Sequence, residues 1–191
     1  ERHLRREFSK IYAAISGESV HIKVTLGKIR SIMVNVMGEV EVPGTYRLSA
    51  FASVFHALYR AGGVNRIGSL RTIQVVRNGE KVADVDVYKY IMEGKLADDI
   101  RLSEGDVILV SPYENLVGIS GKVKRPMIYE MKQGESLATL INYAGGFTGD
   151  AYRNTVRLLR RSGREKQIYN VDKVDYENFI LTDDDEVSVE A

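Results

Sequence analysis

The chain has 191 residues, 44% of them hydrophobic and 28% charged, with a formal net charge of +1. That near-balance argues against a dedicated nucleic-acid binder, which needs a clustered basic footprint to offset phosphate charge. The absence of cysteine removes disulfides, thiolate nucleophiles and cysteine-type zinc sites.

In chain order, Phe8, Ile11, Tyr12 and Ile15 share one turn-spaced apolar face and predict a short helix. Val20, Ile22, Val24 and Leu26 then alternate, Gly27-Lys28 turns, and Ile32, Val34 and Val36 alternate again, which predicts a hairpin. Residues 1–35 are therefore expected to be the tail of a preceding domain. No stretch resembles a signal peptide, and no apolar run approaches the roughly 20 residues of a membrane helix. The expectation is a piece of a longer protein, with any signal, lipid anchor or membrane helix outside it.

From Val36 onward the chain repeats itself. Residues 36–79 align without gaps on residues 119–162. Ten positions are identical: Gly38/Gly121, Val40/Val123, Pro43/Pro126, Tyr46/Tyr129, Ser53/Ser136, Ala61/Ala144, Gly62/Gly145, Gly63/Gly146, Thr72/Thr155 and Arg77/Arg160. Leu102, Asp106, Ile108 and Val110 later match Leu181, Asp185, Val187 and Val189. Each copy reads as β-β-α-β-β-β. A strand through Val36, Gly38, Val40 and Val42 turns at Pro43-Gly44 into a second strand through Tyr46 and Leu48. Ser53 and Ser136 are predicted to cap one-sided helices, whose hydroxyls would accept an unpaired first-turn amide. Gly-Gly closes both helices. Asn78-Gly79 marks a hairpin, with Ser162-Gly163 in its place in the second copy. Val82, Val85 and Val87 are expected on the return strand, and Glu104-Gly105-Asp106 announces the last strand. The fold class is α+β: a small mixed sheet plus one helix, twice, over residues 36–114 and 115–191. Modules of this size are small for a lone core and are expected to pack on each other.

The run Gly38-x-Val40-x-x-Pro43-Gly44-x-Tyr46, the helix ending Ala61-Gly62-Gly63 and the late Glu104-Gly105-Asp106 resemble the soluble ligand-binding β-grasp (SLBB) module. The second copy matches less fully, with Met127 at the turn glycine and Asp183-Asp184-Asp185 in place of Glu-Gly-Asp. The approach from Gly27 to Ile32 resembles the exit of the polysaccharide export domain that precedes such modules in capsule and exopolysaccharide translocons. The resemblance implies a non-enzymatic periplasmic protein, attached to the outer membrane through parts outside this sequence. It implies no cofactor. Its partners would be other subunits of the same protein, the polysaccharide and an inner-membrane polysaccharide copolymerase. Similar modules also serve small ligands, so a sugar- or corrinoid-binding module is the alternative.

No catalytic or metal set emerges from the residues. His3, His21 and His56 lack ligand spacing. Asp183 to Glu186 lack the spaced oxygens and glycine of a calcium loop and read, like Asp98-Asp99, as a solvated turn. Gly62-Gly63 and Gly145-Gly146 close helices, whereas a phosphate cradle opens one. Two charged sets remain. Arg157, Arg160, Arg161 and Arg164, near Arg153 and Lys166, are candidate contacts to an anionic polymer or acidic partner, because guanidinium matches carboxylate. Glu39 and Glu41 stand where the second copy has Lys122, Lys124 and Arg125, and alternation would put each set on one face as a head-to-tail subunit interface. Tyr46 and Tyr129 are read as packing residues; Tyr59, Tyr113, Tyr143 and Tyr152 are less constrained.

Overall fold

The computed structural model describes Arg6, Glu7, Lys10, Gly27 and residues 30–94 and 99–191. The chain divides into two compact units, residues 1–30 and Ser31–Ala191. In the first, Arg6, Glu7 and Lys10 are helical, and Lys10 Nζ donates to Glu7 Oε1 at 2.8 Å. The apolar face from Phe8 to Ile15, the alternation from Val20 to Leu26, His3, His21 and Asp98 lie outside the described residues.

The second unit contains the same sheet twice. Strands β1 (Ser31–Gly38), β2 (Gly44–Ser49), β3 (Gly68–Arg77), β4 (Glu80–Val85) and β5 (Val107–Pro112) lie in the order β2-β1-β5-β3-β4. Strands β6 (Asn115–Gly121), β7 (Met127–Met131), β8 (Thr155–Ser162), β9 (Glu165–Asp172) and β10 (Glu186–Val189) lie in the order β7-β6-β10-β8-β9. In each sheet one pairing, β1 with the central β5 and β6 with the central β10, is parallel and every other pairing is antiparallel. Helix α1 (Val54–Arg60) crosses the first sheet, α2 (Val87–Glu93) follows β4, and α3 (Leu137–Tyr143) crosses the second.

Period-two alternation builds the cores. Ile32, Val34 and Val36 of β1 point inward with Ile73 and Val75 of β3 and Ile108 and Val110 of β5. Val54, Ala57 and Leu58 of α1 cover them. Leu137, Leu140 and Ile141 of α3 do the same over Val117, Val156, Leu158 and Val187. Each fully buried aliphatic side chain contributes roughly 1.5–3 kcal/mol. Both helices end in a Schellman closure: Gly63 N–H bonds Leu58 O and Gly146 N–H bonds Ile141 O, each at 2.9 Å. The Asn78-Gly79 turn has positive φ at both residues, as the mirror-image hairpin turn requires.

Four sequence expectations are corrected in detail. The first module's opening strand begins at Ser31, so Ile32 and Val34 belong to its sheet, ahead of the expected start at residue 36. That strand stops at Gly38, whose φ of 84° breaks the extended run; Val40 makes an isolated bridge to Val64, and Val42 is exposed. Gly121 repeats this with φ 81°. A Cβ at either glycine would collide with a carbonyl oxygen of the parallel neighbour, Val110 or Val189, which explains why both copies keep glycine there. Val87 does not extend the return strand: the Asp86 carboxylate accepts Tyr88 N–H at 3.0 Å and starts α2 instead. Finally, Ser136 occupies the N-cap of α3 without a side-chain cap bond, because carbonyls of Phe179 and Tyr176 take the amides of Leu137 and Ala138.

Candidate functional site

The two modules meet through a buried polar junction. Alternation on β3 points Ser69 and Arg71 to the same side as Ile73 and Val75, but beyond the module's own core. Arg71 is 5% exposed and its guanidinium bonds Asp86 at 3.2–3.3 Å and Glu135 Oε1 at 2.9 Å. It lies 4.9 Å from the Tyr88 ring centre and 5.2 Å from that of Tyr143. Lys132 Nζ reaches Asp86 at 2.8 Å, and Tyr143 Oη donates to Glu135 at 3.1 Å. Glu130, buried, accepts the Ser69 hydroxyl and Leu70 N–H, while its own amide donates to Tyr88 Oη at 2.9 Å. Tyr88 and Met92 of α2 pack against the second module's core.

This network satisfies its members. Burial opposes the charge on Arg71, yet the bonds to Glu135 and Asp86 hold its pKa above the ordinary value. Burial likewise opposes ionisation of Asp86, and Arg71 and Lys132 outweigh it and lower its pKa. Burial pushes the Tyr143 hydroxyl up to about 12, so it is a neutral donor at physiological pH. Sequence comparison of the copies could not find these residues, because those within the gapless alignment are unshared: Arg71 aligns with Asn154, Glu130 with Arg47, Lys132 with Ser49, Glu135 with Ala52 and Tyr143 with Arg60.

A second ion pair is shared. Arg77 donates to Asp106 through two bonds of 2.8 Å, and Arg160 to Asp185 at 2.9 and 2.7 Å. Both aspartates are fully buried and also accept a turn amide, Ser103 and Thr182 respectively. Asp184, with φ 61°, takes the left-handed place of Gly105. The acidic run at Asp183–Asp185 is thus a structural turn, with Asp183 accepting Leu116 N–H at 2.8 Å.

The charged sets proposed from the sequence separate accordingly. Arg160 is committed to Asp185 and lies over the rings of Tyr169 and Phe179, so its guanidinium is part of the module rather than of an open surface. Arg157 and Arg161 are exposed and make surface pairs, with Glu190 at 3.3 Å and Glu186 at 2.8 Å; Arg164 is exposed in the β8–β9 turn. Glu39 is half-buried and accepts Asn65 Nδ2, Lys122 pairs with Asp150, and Arg125 donates to Tyr143 O. Glu41 and Lys124 are exposed, but both lie past the glycine that ends the strand, so strand alternation does not set their facing. Tyr46 and Tyr129 each tie the intervening turn, donating to Val42 O and Arg125 O. His56 Nδ1 lies 2.9 Å from the Ser53 hydroxyl at the start of α1.

Beside α1 an open groove of about 660 Å³ is lined by Leu48, Phe51, Phe55, Leu58, Tyr59 and Val64, with Ser49, His56 and Arg60 among its few polar neighbours. Among the described residues no group of three His, Asp or Glu is placed to hold a metal ion, and no helix is long and apolar enough to cross a membrane.

Residues 33–110 and residues 116–170 each match a family model described as an SLBB domain. Two curated proteins from Escherichia coli, both named polysialic acid transport protein KpsD, are 26% identical to the chain over 151 residues. The match covers 78% of this chain and 26% of each relative, so the chain spans about a quarter of their length. Two sheets of one topology, the first matched in all its strands and the second in every strand but β10, make the chain a member of the SLBB family with two such domains in tandem.

Proposed function

We propose that this chain is a non-enzymatic periplasmic module of a polysaccharide export apparatus at the outer membrane. It acts by subunit assembly and by contact with the polymer, and its partners are other copies, the polysaccharide and an inner-membrane polysaccharide copolymerase. The observation that carries the reading is the tandem of SLBB domains in a chain related to polysialic acid transport proteins.

Polymer contact rests on Arg157, Arg161 and Arg164. Exposed ion pairs contribute little to stability, so Arg157 and Arg161 can exchange Glu190 and Glu186 for polymer carboxylates at small cost. Assembly draws on the opposed charges Glu41 and Lys124, with Glu39, Lys122 and Arg125 beside them; charge complementarity of this kind sets register more than affinity. Affinity electrophoresis in gels containing polysialic acid, with neutral dextran as control, tests the first part. Salt-sensitive retardation by polysialic acid alone is expected, weakened in the Arg157→Ala, Arg161→Ala, Arg164→Ala triple variant. Equal retardation of both proteins would overturn polymer contact through this hairpin.

The groove beside α1 gives a second reading, a small-ligand module, since its volume lies within the few hundred to ~1,000 Å³ of typical ligand sites. Its scarcity of convergent polar groups does not suit a sugar ligand and favours the first reading.

A further inference from the structure

The groove and the junction are the same surface of two equivalent modules. In the second module, Met131, Lys132, Glu135 and Tyr143 form the face beside α3 that receives Asp86, Arg71 and Tyr88 of the first. Their counterparts in the first module are Leu48, Ser49, Ala52 and Arg60, and all four line the groove. The surface that takes a neighbour in one module is therefore open in the other. It is also apolar where it is open: Phe51 is 62% and Tyr59 86% exposed, at positions where the second module has Gly134 and Asn142. Large aromatic residues held open to water at the centre of a concave surface mark a protein contact.

The complementary edge is free on the second module. The register pairs Ile73 with Val85 and Val156 with Val171, so Asp172 stands at the place of Asp86 and Val174 at that of Tyr88. Val174 is 83% exposed, and Tyr152, at the place of Ser69, is half exposed. Charge agrees with this assignment. At the existing junction the inserted edge carries Arg71 and Asp86, and the receiving face carries Glu130 and Glu135 for the one and Lys132 for the other. At the free surfaces the acidic member stays on the edge and the basic partner on the face. The edge from 172 to 177 carries Asp172, Asp175 and Glu177 against one Lys173, and the receiving face carries Arg60, with Arg47 at the place of Glu130.

We infer that the groove beside α1 receives the Asp172–Glu177 edge of a second copy of this chain, in the arrangement by which α2 and β3 already seat on the second module. This rests on the assembly half of the proposed function and gives it an apolar seat, with Val174 and Tyr152 against Phe51 and Tyr59. The contact is heterologous. Among the described residues each copy keeps one groove and one edge free, so association continues beyond two copies until the rotation closes a ring.

Sedimentation velocity over a concentration series tests it, using the whole chain and two single variants at exposed positions. Wild type is expected to form species larger than a dimer. Val174→Glu and Phe51→Glu should each keep the native circular-dichroism spectrum and lose self-association by roughly tenfold or more, as a central contact does. Mixed together they should form a one-to-one dimer and nothing larger, because each retains one intact surface. A wild type that stays monomeric, a Val174→Glu variant that associates like wild type, or a mixture that does not pair would overturn the inference. Retardation by polysialic acid is measured on the same variants. If it persists while association fails, only this contact is wrong; if both fail, the proposed function falls with it.

Discussion

Arg77 and Arg160 occupy equivalent positions in the two modules, and so do their partners Asp106 and Asp185; Arg71 has Asn154 as its counterpart and no equivalent network. Each shared pair anchors a tight turn to its own sheet, and so serves a module in isolation. The unshared one joins module to module. Duplication explains the difference: a contact inside the unit is copied with the unit, whereas a contact between units exists once and has to be built from positions at which the copies diverge. Breaking one kind should therefore loosen a single module, and breaking the other should uncouple two intact ones.

The largest effect is expected at Arg71. Arg71→Met leaves the buried Asp86 with Lys132 and Tyr88 N–H and Glu135 with Tyr143 and Lys132 N–H, and loss of one partner from a buried charge cluster costs about 3–5 kcal/mol. Both hydrophobic cores are untouched by this change. Chemical denaturation followed by far-ultraviolet circular dichroism should change from one transition to two. A single transition, merely shifted, would mean that the apolar contact of Tyr88 and Met92 couples the modules and that the polar network does not.

Next in size are the repeated pairs. Asp106→Asn removes the charge from a bidentate bond while keeping an acceptor for Ser103 N–H, and is expected to cost about 2 kcal/mol. Asp185→Asn should cost a similar amount, and the two losses should add, since the pairs lie in separate modules with no common partner. The pH dependence follows from the same chemistry. Burial opposes ionisation of Asp106, but Arg77 and Ser103 N–H lower its pKa, as Arg71 and Lys132 do for Asp86. A carboxylate with a folded-state pKa below its unfolded value contributes fully above the unfolded value and loses that contribution as pH falls through the folded one. Stability should thus decline on acidification below the ordinary carboxylate range, and Asp106→Asn should flatten that decline. An unchanged slope in an acid titration of urea midpoints would exclude Asp106 as a source of it.

The sequence made the modules legible because their determinants are local or repeated. Alternating valines, the Asn78-Gly79 turn and the glycine pair after each helix all act within a few residues, and duplication printed them twice. Elements that depend on a single copy were hidden. Val87 continues the apolar alternation of β4, and only the Asp86 carboxylate, itself fixed by Arg71 and Lys132, turns the chain into α2. Arg160 looked like one member of a basic cluster, and its partner lies 25 residues away across the sheet. Glu39 and Glu41 keep the spacing of a strand, but Gly38 ends that strand before them. The junction leaves one faint signal in the sequence: Arg71, amid the apolar alternation of β3, is a charge on an inward-facing position, which requires a partner from elsewhere.

The smallest expected effect separates two ways of starting a helix. Asp86 caps α2 with its own carboxylate, while Ser136 heads α3 with its hydroxyl 3.4 Å from Thr139 Oγ1 and no bond to a first-turn amide. Those amides are instead held at 2.9 Å by Phe179 O and Tyr176 O, on the segment that follows the 3₁₀ turn Lys173–Asp175. A serine that caps normally costs about 1 kcal/mol when replaced by alanine. Ser136→Ala should cost under ~0.5 kcal/mol, because the donors it would serve are already satisfied by backbone. Amide exchange at Leu137 and Ala138 distinguishes the cases: protection that survives in the variant assigns the cap to the 176–179 carbonyls, and protection that collapses returns it to the hydroxyl.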